Sequence, residues 1–402
     1  MGSVAVISLH TSPLALPGIG DSGGMNVYVR ELAGALGQAG VDVRVYTRRW
    51  SEELPDRVPV EPGVEVVHVP AGPVDATKEQ LPGLVDAFAD GVARDLAARP
   101  ADVLHANYWL SAVAGHTLKH RLELPLVSTF HTLARVKADA GDVEPGSRVR
   151  AETTVIGCCD AICASNTVEA GQLVELYGAD PTRIEIVPPG VDRAFFSPGD
   201  RAGARSALGL DDRPTVLFVG RIQPLKGPLI AVEALARLRD PRARLVVVGG
   251  PSGPEGALEW DRTRAVVRDL GLTDRTTFVD PQPHHVLSTY YRAADVVVVP
   301  SRSESFGLVA LEAAACGIPV VGAAVGGLRT LVEHGHTGFL VEGRDPADFA
   351  ARIDELIAQP GRAAAMGRAA AELASGFSWS TTAGRLRRLY ADLGARRPVE
   401  CR

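Results

Sequence analysis

Short β-branched segments alternate with helical patterns along most of the chain, and the alternation occurs twice. In the first half, strands are predicted at residues 4–10, 41–47, 64–69, 103–106, 126–130, 161–164 and 184–187. Between the first two, Val29, Leu32, Ala33 and Leu36 recur at the spacing of one helix face. Because the strands are apolar throughout and helices separate them, we expect a parallel sheet that is covered on both faces.

A turn-rich stretch at residues 188–200 has the composition of a linker, and the alternation resumes after it. Strands of a second sheet are predicted at residues 216–219, 245–248, 277–279, 296–299 and 319–321. A chain of 402 residues also exceeds what one hydrophobic core usually covers. We therefore predict two doubly wound, Rossmann-like α/β domains, residues 1–195 and 196–376, followed by an amphipathic helix within 377–402. Ligands of such domains bind beyond the carboxyl ends of the strands, in the cleft between the domains.

Composition excludes several classes of function. A net charge of -6 argues against a protein that binds nucleic acid or membrane surfaces by electrostatics. No apolar run approaches the roughly 20 residues of a membrane span, and no signal peptide is visible, so we expect a cytoplasmic protein. The five cysteines show neither a paired CxxC zinc motif nor a disulfide framework. Cys158, Cys159, Cys163 and Cys316 are accordingly predicted to be small core residues.

Two glutamates, Glu304 and Glu312, flank the start of an alanine-rich helix that follows the strand at 296–299. The N-terminus of such a helix can bind a diphosphate, and a carboxylate inside the helix can accept hydrogen bonds from ribose hydroxyls. The hydroxyls of a transferred sugar could bind Glu304. By themselves the two residues fit a capped helix with a solvated acidic face equally well.

A second loop adds positive charge to the same domain. Arg221 and Lys226 lie five residues apart in the turn after the strand at 216–219, close enough to converge on a diphosphate leaving group. A glycine loop at residues 249–253 would let the backbone approach a nucleotide. A turn with two basic residues, taken alone, is more often an ordinary part of the protein surface than a binding site.

The first domain offers a candidate site for an acceptor. The loop of Asp21, Ser22, Gly23, Gly24, Met25 and Asn26 is not GxGxxG, so we expect no nicotinamide and no other organic cofactor. A different set follows the later strands, and its members are Lys78, Tyr108, Thr132 and Arg148. Two cations and two hydroxyls are what a phosphomonoester dianion requires, although each residue also has an ordinary structural explanation.

Taken together, these motifs resemble the retaining glycosyltransferases of family 4, which have the GT-B fold. The match consists of GR-x4-KG at 220–227, E-x7-E at 304–312, the Gly326-Gly327 turn and the Phe377-Ser378-Trp379 helix start. The resemblance implies that Arg221 and Lys226 hold the diphosphate, that Glu312 holds the ribose and that Glu304 contacts the donor sugar. It also implies that the last helix crosses back to the first domain, and that Gln282 stands where the family commonly has an arginine beside the uracil.

Within that family the first domain resembles actinobacterial members that transfer N-acetylglucosamine from UDP-GlcNAc to 1D-myo-inositol 3-phosphate, the first step of mycothiol biosynthesis. The matching segments are residues 10–13, 20–29, 71–73, 78–82, 107–111 and 130–134. The resemblance implies that Lys78, Tyr108, Thr132 and Arg148 bind the acceptor phosphate. It places His10 and the loop of residues 21–26 at the inositol ring, with Gly24 also near the donor.

The resemblance has three further implications. His131 would stand beside the reacting carbon, whereas His105, which ends a buried strand, is predicted to be structural. A magnesium ion would bind backbone carbonyls at Tyr291, Arg292 and Ala294, and the protein would form a homodimer. Three alternatives remain open from the residues: a transferase acting on a non-phosphorylated aminocyclitol, a nucleotide-sugar epimerase and a non-catalytic sugar-nucleotide sensor.

Overall fold

The structure is a computed structural model that describes residues 2–15, 22–253 and 255–401. The chain divides into two compact units. Unit 1 contains residues 1–15, 24–190 and 379–402, and unit 2 contains residues 16–23 and 191–378. The boundaries therefore fall at Gly190 and Ser378, five residues before the first predicted boundary and two residues after the second.

Each unit is built on one sheet. The strands are β1 (Ser3–Ile7), β2 (Asp42–Arg48), β3 (Arg57–Glu61), β4 (Val64–Val69), β5 (Val103–Asn107), β6 (Leu126–Thr129), β7 (Ala161–Ala164), β8 (Ile184–Ile186), β9 (Thr215–Val219), β10 (Arg244–Val248), β11 (Thr276–Val279), β12 (Val296–Val299), β13 (Val320–Ala323) and β14 (Gly338–Val341). The strand order is β3-β4-β2-β1-β5-β6-β7-β8 in unit 1 and β11-β10-β9-β12-β13-β14 in unit 2. Both orders are doubly wound, as the alternating pattern predicts.

Helices cover both faces of each sheet. They are α1 (Gly24–Gln38), α2 (Val85–Ala98), α3 (Trp109–Leu122), α4 (Ala134–Asp139), α5 (Gly146–Cys158), α6 (Thr167–Tyr177), α7 (Arg201–Ala207), α8 (Pro228–Ala236), α9 (Gly256–Asp269), α10 (His284–Ala293), α11 (Leu308–Ala315), α12 (Leu328–Leu331), α13 (Pro346–Ala358), α14 (Pro360–Ala374) and α15 (Trp379–Gly394). Short 3-10 turns lie at Leu81–Leu84, Pro181–Arg183 and Thr273–Arg275. No helix among the described residues is long and apolar enough to cross a bilayer.

Two strands differ from the sequence-based expectation. β3 pairs with β4 in the antiparallel direction, at the edge of an otherwise parallel sheet. The polar, Pro59-containing segment does not read as a strand, and an edge position tolerates proline because one side of the strand needs no ladder bond. β14 is a short strand at one edge of the sheet of unit 2. Its sequence, Gly338-Phe339-Leu340-Val341, is too short to be distinguished from a turn.

The last helix belongs to unit 1. Trp379, Leu386 and Tyr390 of α15 are buried in the same apolar cluster as the inner face of α1, beneath the β1–β2 side of the sheet. The Thr382 hydroxyl donates to the Pro188 carbonyl at 2.7 Å. The amphipathic helix predicted at the chain end therefore completes the core of the first unit, because its apolar face is buried in that core.

All four cysteines predicted to be core residues are buried, and one of them has a contact that was not predicted. Cys159, Cys163 and Cys316 are buried free thiols, as expected of core residues. The Cys158 sulfur, however, lies against the sulfur of Cys401, 243 positions away in the sequence. The two cysteines are too far apart in sequence for spacing to reveal the pairing.

Candidate active site

In unit 2, the loops that follow β9 and β12 bring a predicted cation and a predicted carboxylate together. The Lys226 ammonium donates to Glu304 Oε2 at 2.6 Å, and the Ser301 hydroxyl donates to the same oxygen at 3.3 Å. Both charged side chains are about four-fifths buried. Arg221 is partly exposed at the start of the same loop as Lys226. The pairing fixes the position of Lys226, because a partly desolvated charged hydrogen bond is shorter and stronger than a neutral one.

Close backbone packing shapes these loops. The Gly326-Gly327 turn lies against the Glu304 segment, where the Gly327 N–H donates to the Glu304 carbonyl at 2.9 Å. A Cβ on Gly326 would lie 1.9 Å from that carbonyl oxygen, and its φ of +45° also disfavours side chains. A Cβ on Gly249 would similarly lie 1.9 Å from the Gly220 carbonyl oxygen. The glycines are therefore required by contact between neighbouring loops at the ends of β9, β10 and β12.

Glu312 has a partner that the sequence did not reveal. The Tyr291 hydroxyl of α10 donates to Glu312 Oε2 at 2.7 Å, and both side chains are buried. Burial raises the pKa of Tyr291 well above its usual value, and the Glu312 carboxylate adds to the effect, so Tyr291 stays a donor. One oxygen of Glu312 is thus oriented by the protein, which leaves the carboxylate in one rotamer for a ligand.

Tyr291→Phe removes this orienting bond without removing the ring. We expect the donor KM to rise several-fold, with little change in kcat. A lost hydrogen bond to a charged group costs about 1.5–3 kcal/mol, and only a part of that cost weakens the binding of the ligand by Glu312. Steady-state kinetics with varied donor measures it. Tyr290→Phe, one residue away and partly exposed, is the matched control. An equal effect of both variants would contradict the assignment.

The predicted magnesium site, at the carbonyls of Tyr291, Arg292 and Ala294, stays a prediction. The Tyr291 carbonyl accepts from the Ala294 N–H at 3.1 Å, and the Ala293 carbonyl accepts from Arg205 Nε at 3.0 Å. Arg205 also pairs with Asp295 at 2.6 Å, and Arg292 donates to the Phe195 carbonyl at 3.0 Å. Protein cations therefore already stabilise the C-terminal end of α10, so we derive no step from a metal there.

The side-chain amide of Gln282 is used within its own loop. It donates to the Asp280 carbonyl at 2.9 Å. Its predicted position beside the uracil stays a prediction.

In unit 1 the structure brings together four of the eleven predicted acceptor residues. Tyr108 follows β5, Thr132 follows β6, and Arg148 lies in the first turn of α5. Arg148 Nη2 donates to the Thr132 carbonyl at 2.9 Å and to its hydroxyl at 3.1 Å. The guanidinium lies 5.1 Å from the centre of the Tyr108 ring, whose other neighbour is His10 at 4.3 Å between ring centres. Four residues from distant parts of the sequence thus form one polar cluster.

Two carboxylates that the sequence analysis did not single out hold Arg148. Its Nε donates to Glu152 at 2.8 Å and its Nη1 donates to Glu144 at 2.9 Å. Lys137 contacts Glu144 as well. Because most of its N–H groups are committed and its charge is balanced by Glu144 and Glu152, the buried Arg148 fixes Thr132 and Tyr108 more than it offers free donors. Helical spacing of i, i+4 on both sides of Arg148 is the signal that could have identified these partners.

The remaining predicted acceptor residues are placed as follows. Lys78 is exposed in the segment before the 3-10 turn at Leu81–Leu84. Gly24 begins α1, and the partly buried Met25 packs against the core, so Met25 is not placed as a ligand. The Asn26 amide donates to the Thr11 hydroxyl and the Ser12 carbonyl, both at 2.6 Å. Asn26 therefore fixes the loop after β1, because both amide hydrogens have protein acceptors. Ser22 and Gly23 group with unit 2, and Asp21 lies outside the described residues.

His131 is held in a conformation that few residues adopt. Its φ is +62°, and Tyr108 has a φ of +76°. Such geometry costs about 1–3 kcal/mol per residue and is concentrated at functional sites. Nε2 of His131 lies 2.9 Å from Asn107 Oδ1, and the ring packs edge-on against Tyr28. Because an amide oxygen only accepts, Nε2 carries the proton and Nδ1 is the acceptor of the ring.

Burial lowers the pKa of His131 to about 3, and the nearby His105 adds to the effect. The imidazole is therefore neutral near pH 7. Asn107 was missed from the sequence because its role depends on its position at the end of β5.

His105 has a structural role, in agreement with the prediction. It is fully buried, contacts the Tyr390 hydroxyl of α15 through Nδ1, and lies 2.8 Å from the Thr129 hydroxyl through Nε2. The imidazole thus connects the last helix to the centre of the sheet.

Stability should depend on pH through His105. Burial lowers its pKa from 6.5 to about 3, so between these values the unfolded chain takes up a proton that the native chain does not. The free energy of unfolding therefore falls as the pH falls, and at pH 5.5 this residue contributes a loss of about 1.4 kcal/mol. Urea unfolding measures the free energy of unfolding at pH 7 and at pH 5.5. Its decrease between these pH values should be smaller in His105→Gln than in the unaltered chain, by about that amount. The exposed His336→Gln is the control, and an unchanged pH dependence in His105→Gln would contradict the explanation.

Comparisons with known proteins identify the family of the chain. Residues 22–195 match the family model described as Glycosyltransferase Family 4, and residues 200–373 match the model described as Glycosyl transferases group 1. The D-inositol 3-phosphate glycosyltransferase of Acidothermus cellulolyticus is 48% identical over 98% of this chain and 91% of its own. That of Actinosynnema mirum is 49% identical over 98% of this chain and 97% of its own. A solved structure, sucrose-phosphate synthase from Thermosynechococcus elongatus, is 34% identical, with a TM-score of 0.93 over 98% of this chain and 100% of that chain.

The fold, the loops at the strand ends and these matches define a glycosyltransferase with the GT-B fold. The predicted architecture is confirmed, and an epimerase is not favoured. The chain belongs to the family of D-inositol 3-phosphate glycosyltransferases.

Proposed function

We propose that the chain transfers N-acetylglucosamine from UDP-GlcNAc to 1D-myo-inositol 3-phosphate, releasing UDP. The observation that carries the proposal is the cluster of Arg148, Thr132 and Tyr108 in a chain that is 48% identical to a D-inositol 3-phosphate glycosyltransferase. Positive charge beside hydroxyl groups suits a phosphomonoester and gives no advantage to a neutral cyclitol. Lys78 supplies the second cation in this proposal.

The donor half of the proposal uses unit 2. Lys226 and Arg221 neutralise the diphosphate, together with the free N–H groups of the first turn of α11. Glu312, oriented by Tyr291, accepts hydrogen bonds from the ribose hydroxyls. Glu304 positions Lys226 and accepts hydrogen bonds from the donor sugar. The charge on the leaving group grows as the glycosidic bond breaks, so these cations stabilise the transition state more than the bound donor.

The transfer proceeds with retention through a front-face displacement. The bond from the anomeric carbon to the diphosphate oxygen breaks while the inositol oxygen bonds to the same face of that carbon. The proton of the inositol hydroxyl goes to the departing phosphate oxygen, so no strongly basic side chain is required. His131, neutral and fixed by Asn107, serves as a hydrogen-bonding group and not as a cationic acid.

One assay tests the proposed substrates. UDP release is followed with UDP-GlcNAc alone, with added inositol 3-phosphate and with added inositol. We expect much faster release with the phosphorylated acceptor than with inositol, no release with UDP-GlcNAc alone, and a product whose anomeric proton coupling shows the α configuration of the donor. Equal release with inositol would favour an aminocyclitol-type transferase, and consumption of UDP-GlcNAc alone would favour an epimerase.

A further inference from the structure

Two histidines and two cysteines meet on the surface of unit 1, outside the site described above. His116 and His120 lie one turn apart on α3, Cys158 ends α5, and Cys401 is near the chain end. Among the described residues, these four form the group of potential metal ligands whose atoms all lie within 4.8 Å of one another. The i, i+4 spacing on one helix face is a common way to direct two imidazoles at one ion.

Three of the distances between the ligand atoms, 3.3, 3.6 and 3.8 Å, match the edges of a tetrahedral metal site, whereas the contacts of Cys401 Sγ with His120 Nε2 and with the Cys158 sulfur are shorter. The two Nε2 atoms are 3.3 Å apart, Cys158 Sγ is 3.6 Å from His120 Nε2, and Cys401 Sγ is 3.1 Å and 3.8 Å from the Nε2 atoms of His120 and His116. Zinc bonds of about 2.0–2.1 Å to nitrogen and about 2.3 Å to sulfur give a tetrahedron with edges of about 3.3–3.8 Å. We propose that His116, His120, Cys158 and Cys401 bind one Zn²⁺ ion.

A disulfide between Cys158 and Cys401 is the competing arrangement, because the two sulfurs are in contact. A disulfide involves only the two sulfurs, so it does not explain why the Nε2 atoms of two imidazoles lie close to them. The rings instead cross at 82°, with centres 4.7 Å apart, so that both Nε2 atoms face the same point. Binding zinc requires the sulfurs to separate to about 3.8 Å as thiolates, a small movement for the exposed tail that carries Cys401.

The chain end is brought to this position by other contacts. Lys119, between the two histidines in sequence, forms a buried ion pair with Asp160 at 2.7 Å. Lys119 also donates to the Cys158 carbonyl at 2.7 Å, and the other oxygen of Asp160 accepts from the Val399 N–H at 2.5 Å. Lys119 thus holds the end of α5 beside α3, and Asp160 holds the tail two residues before Cys401.

Four protein ligands leave no open position, so the ion would be structural and not catalytic. It would attach the segment after α15 to α3 and α5, and thereby fix the end of the helix that completes the core of unit 1. Its effect should be on stability, independent of the substrates of the enzyme.

Metal analysis of the full, untagged chain tests the proposal. Protein purified from zinc-supplemented medium should contain about one zinc ion per chain, lost in Cys401→Ser and His120→Ala and retained in the exposed His336→Ala control. Cobalt substitution should give thiolate-to-metal charge-transfer absorption in the unaltered chain and not in Cys401→Ser. Removal of zinc by a chelator should lower the Tm of the unaltered chain and leave the Tm of Cys401→Ser unchanged.

Thiol titration separates the two arrangements. Denatured with a chelator and without reductant, a zinc-binding chain exposes all five thiols of the sequence, and a disulfide-linked chain exposes three. Three thiols with no bound metal would overturn the proposal. So would a different metal at equal stoichiometry, or full zinc retention in Cys401→Ser.

Discussion

Lys226→Ala should lower kcat by about 10²- to 10³-fold, the usual loss when one fixed group that stabilises transition-state charge is removed. The expectation rests on the position of Lys226, which Glu304 holds at 2.6 Å in the loop after β9. The donor KM should change much less, because the charge on the diphosphate increases only as the glycosidic bond breaks. Initial rates with both substrates varied give the two constants separately.

Arg239→Ala is the control for that variant, since it removes an exposed cation from the same unit. Its kcat should equal that of the unaltered chain. A Lys226→Ala enzyme that folds normally, by circular dichroism and thermal unfolding, and keeps kcat to within about threefold would refute the donor assignment.

Lys78→Ala should raise the KM for inositol 3-phosphate about tenfold or more, with kcat nearly unchanged. A hydrogen bond to a charged partner is worth about 1.5–3 kcal/mol, and the exposure of Lys78 places it at the low end of that range. In the proposed function Lys78 binds the phosphate, which does not change during the reaction, so its loss should weaken binding of the ground state and of the transition state equally. Steady-state kinetics at saturating donor measures the effect.

The specificity of that effect is checked with the unphosphorylated acceptor. For inositol, kcat/KM should be the same in Lys78→Ala and in the unaltered chain, because no phosphate is present. Arg94→Ala, an exposed cation on α2 of the same unit, should leave both acceptors unaffected. An unchanged KM for inositol 3-phosphate in Lys78→Ala would remove Lys78 from the site.

The fold was largely predictable because its signals are local and periodic. Buried parallel strands read as continuous apolar runs, and those found in both halves correspond to strands in the structure. β3 was not predicted from the sequence, because this edge strand contains Pro59 and charged residues and forms only by pairing with β4. The contact boundary between the units also lies in the predicted linker, although composition alone cannot select a residue within it.

The site was predictable where a motif fixes a residue to a strand end, as for Lys226, Glu304 and Tyr108. The partners that orient those residues were not. Tyr291 and Asn107 act through single hydrogen bonds across elements, and nothing in their sequence neighbourhood distinguishes them from core residues. Glu152 is different, because it lies four residues after Arg148 on the same helix and that spacing could have identified it. Asn26 has a structural role that the sequence did not indicate, because its amide nitrogen fixes its own loop, and its predicted contact with a ligand stays a prediction.

The most direct test of the account compares kcat/KM for inositol 3-phosphate with kcat/KM for inositol, in the unaltered chain with UDP-GlcNAc as donor. The proposed phosphate site of Lys78, with the hydroxyls of Tyr108 and Thr132 that Arg148 fixes, predicts a preference of about 10-fold or more for the phosphorylated acceptor, since the neutral acceptor loses at least the hydrogen bond to a charged group. A ratio near one, or a preference for inositol, would contradict the central claim that this site selects a phosphorylated acceptor.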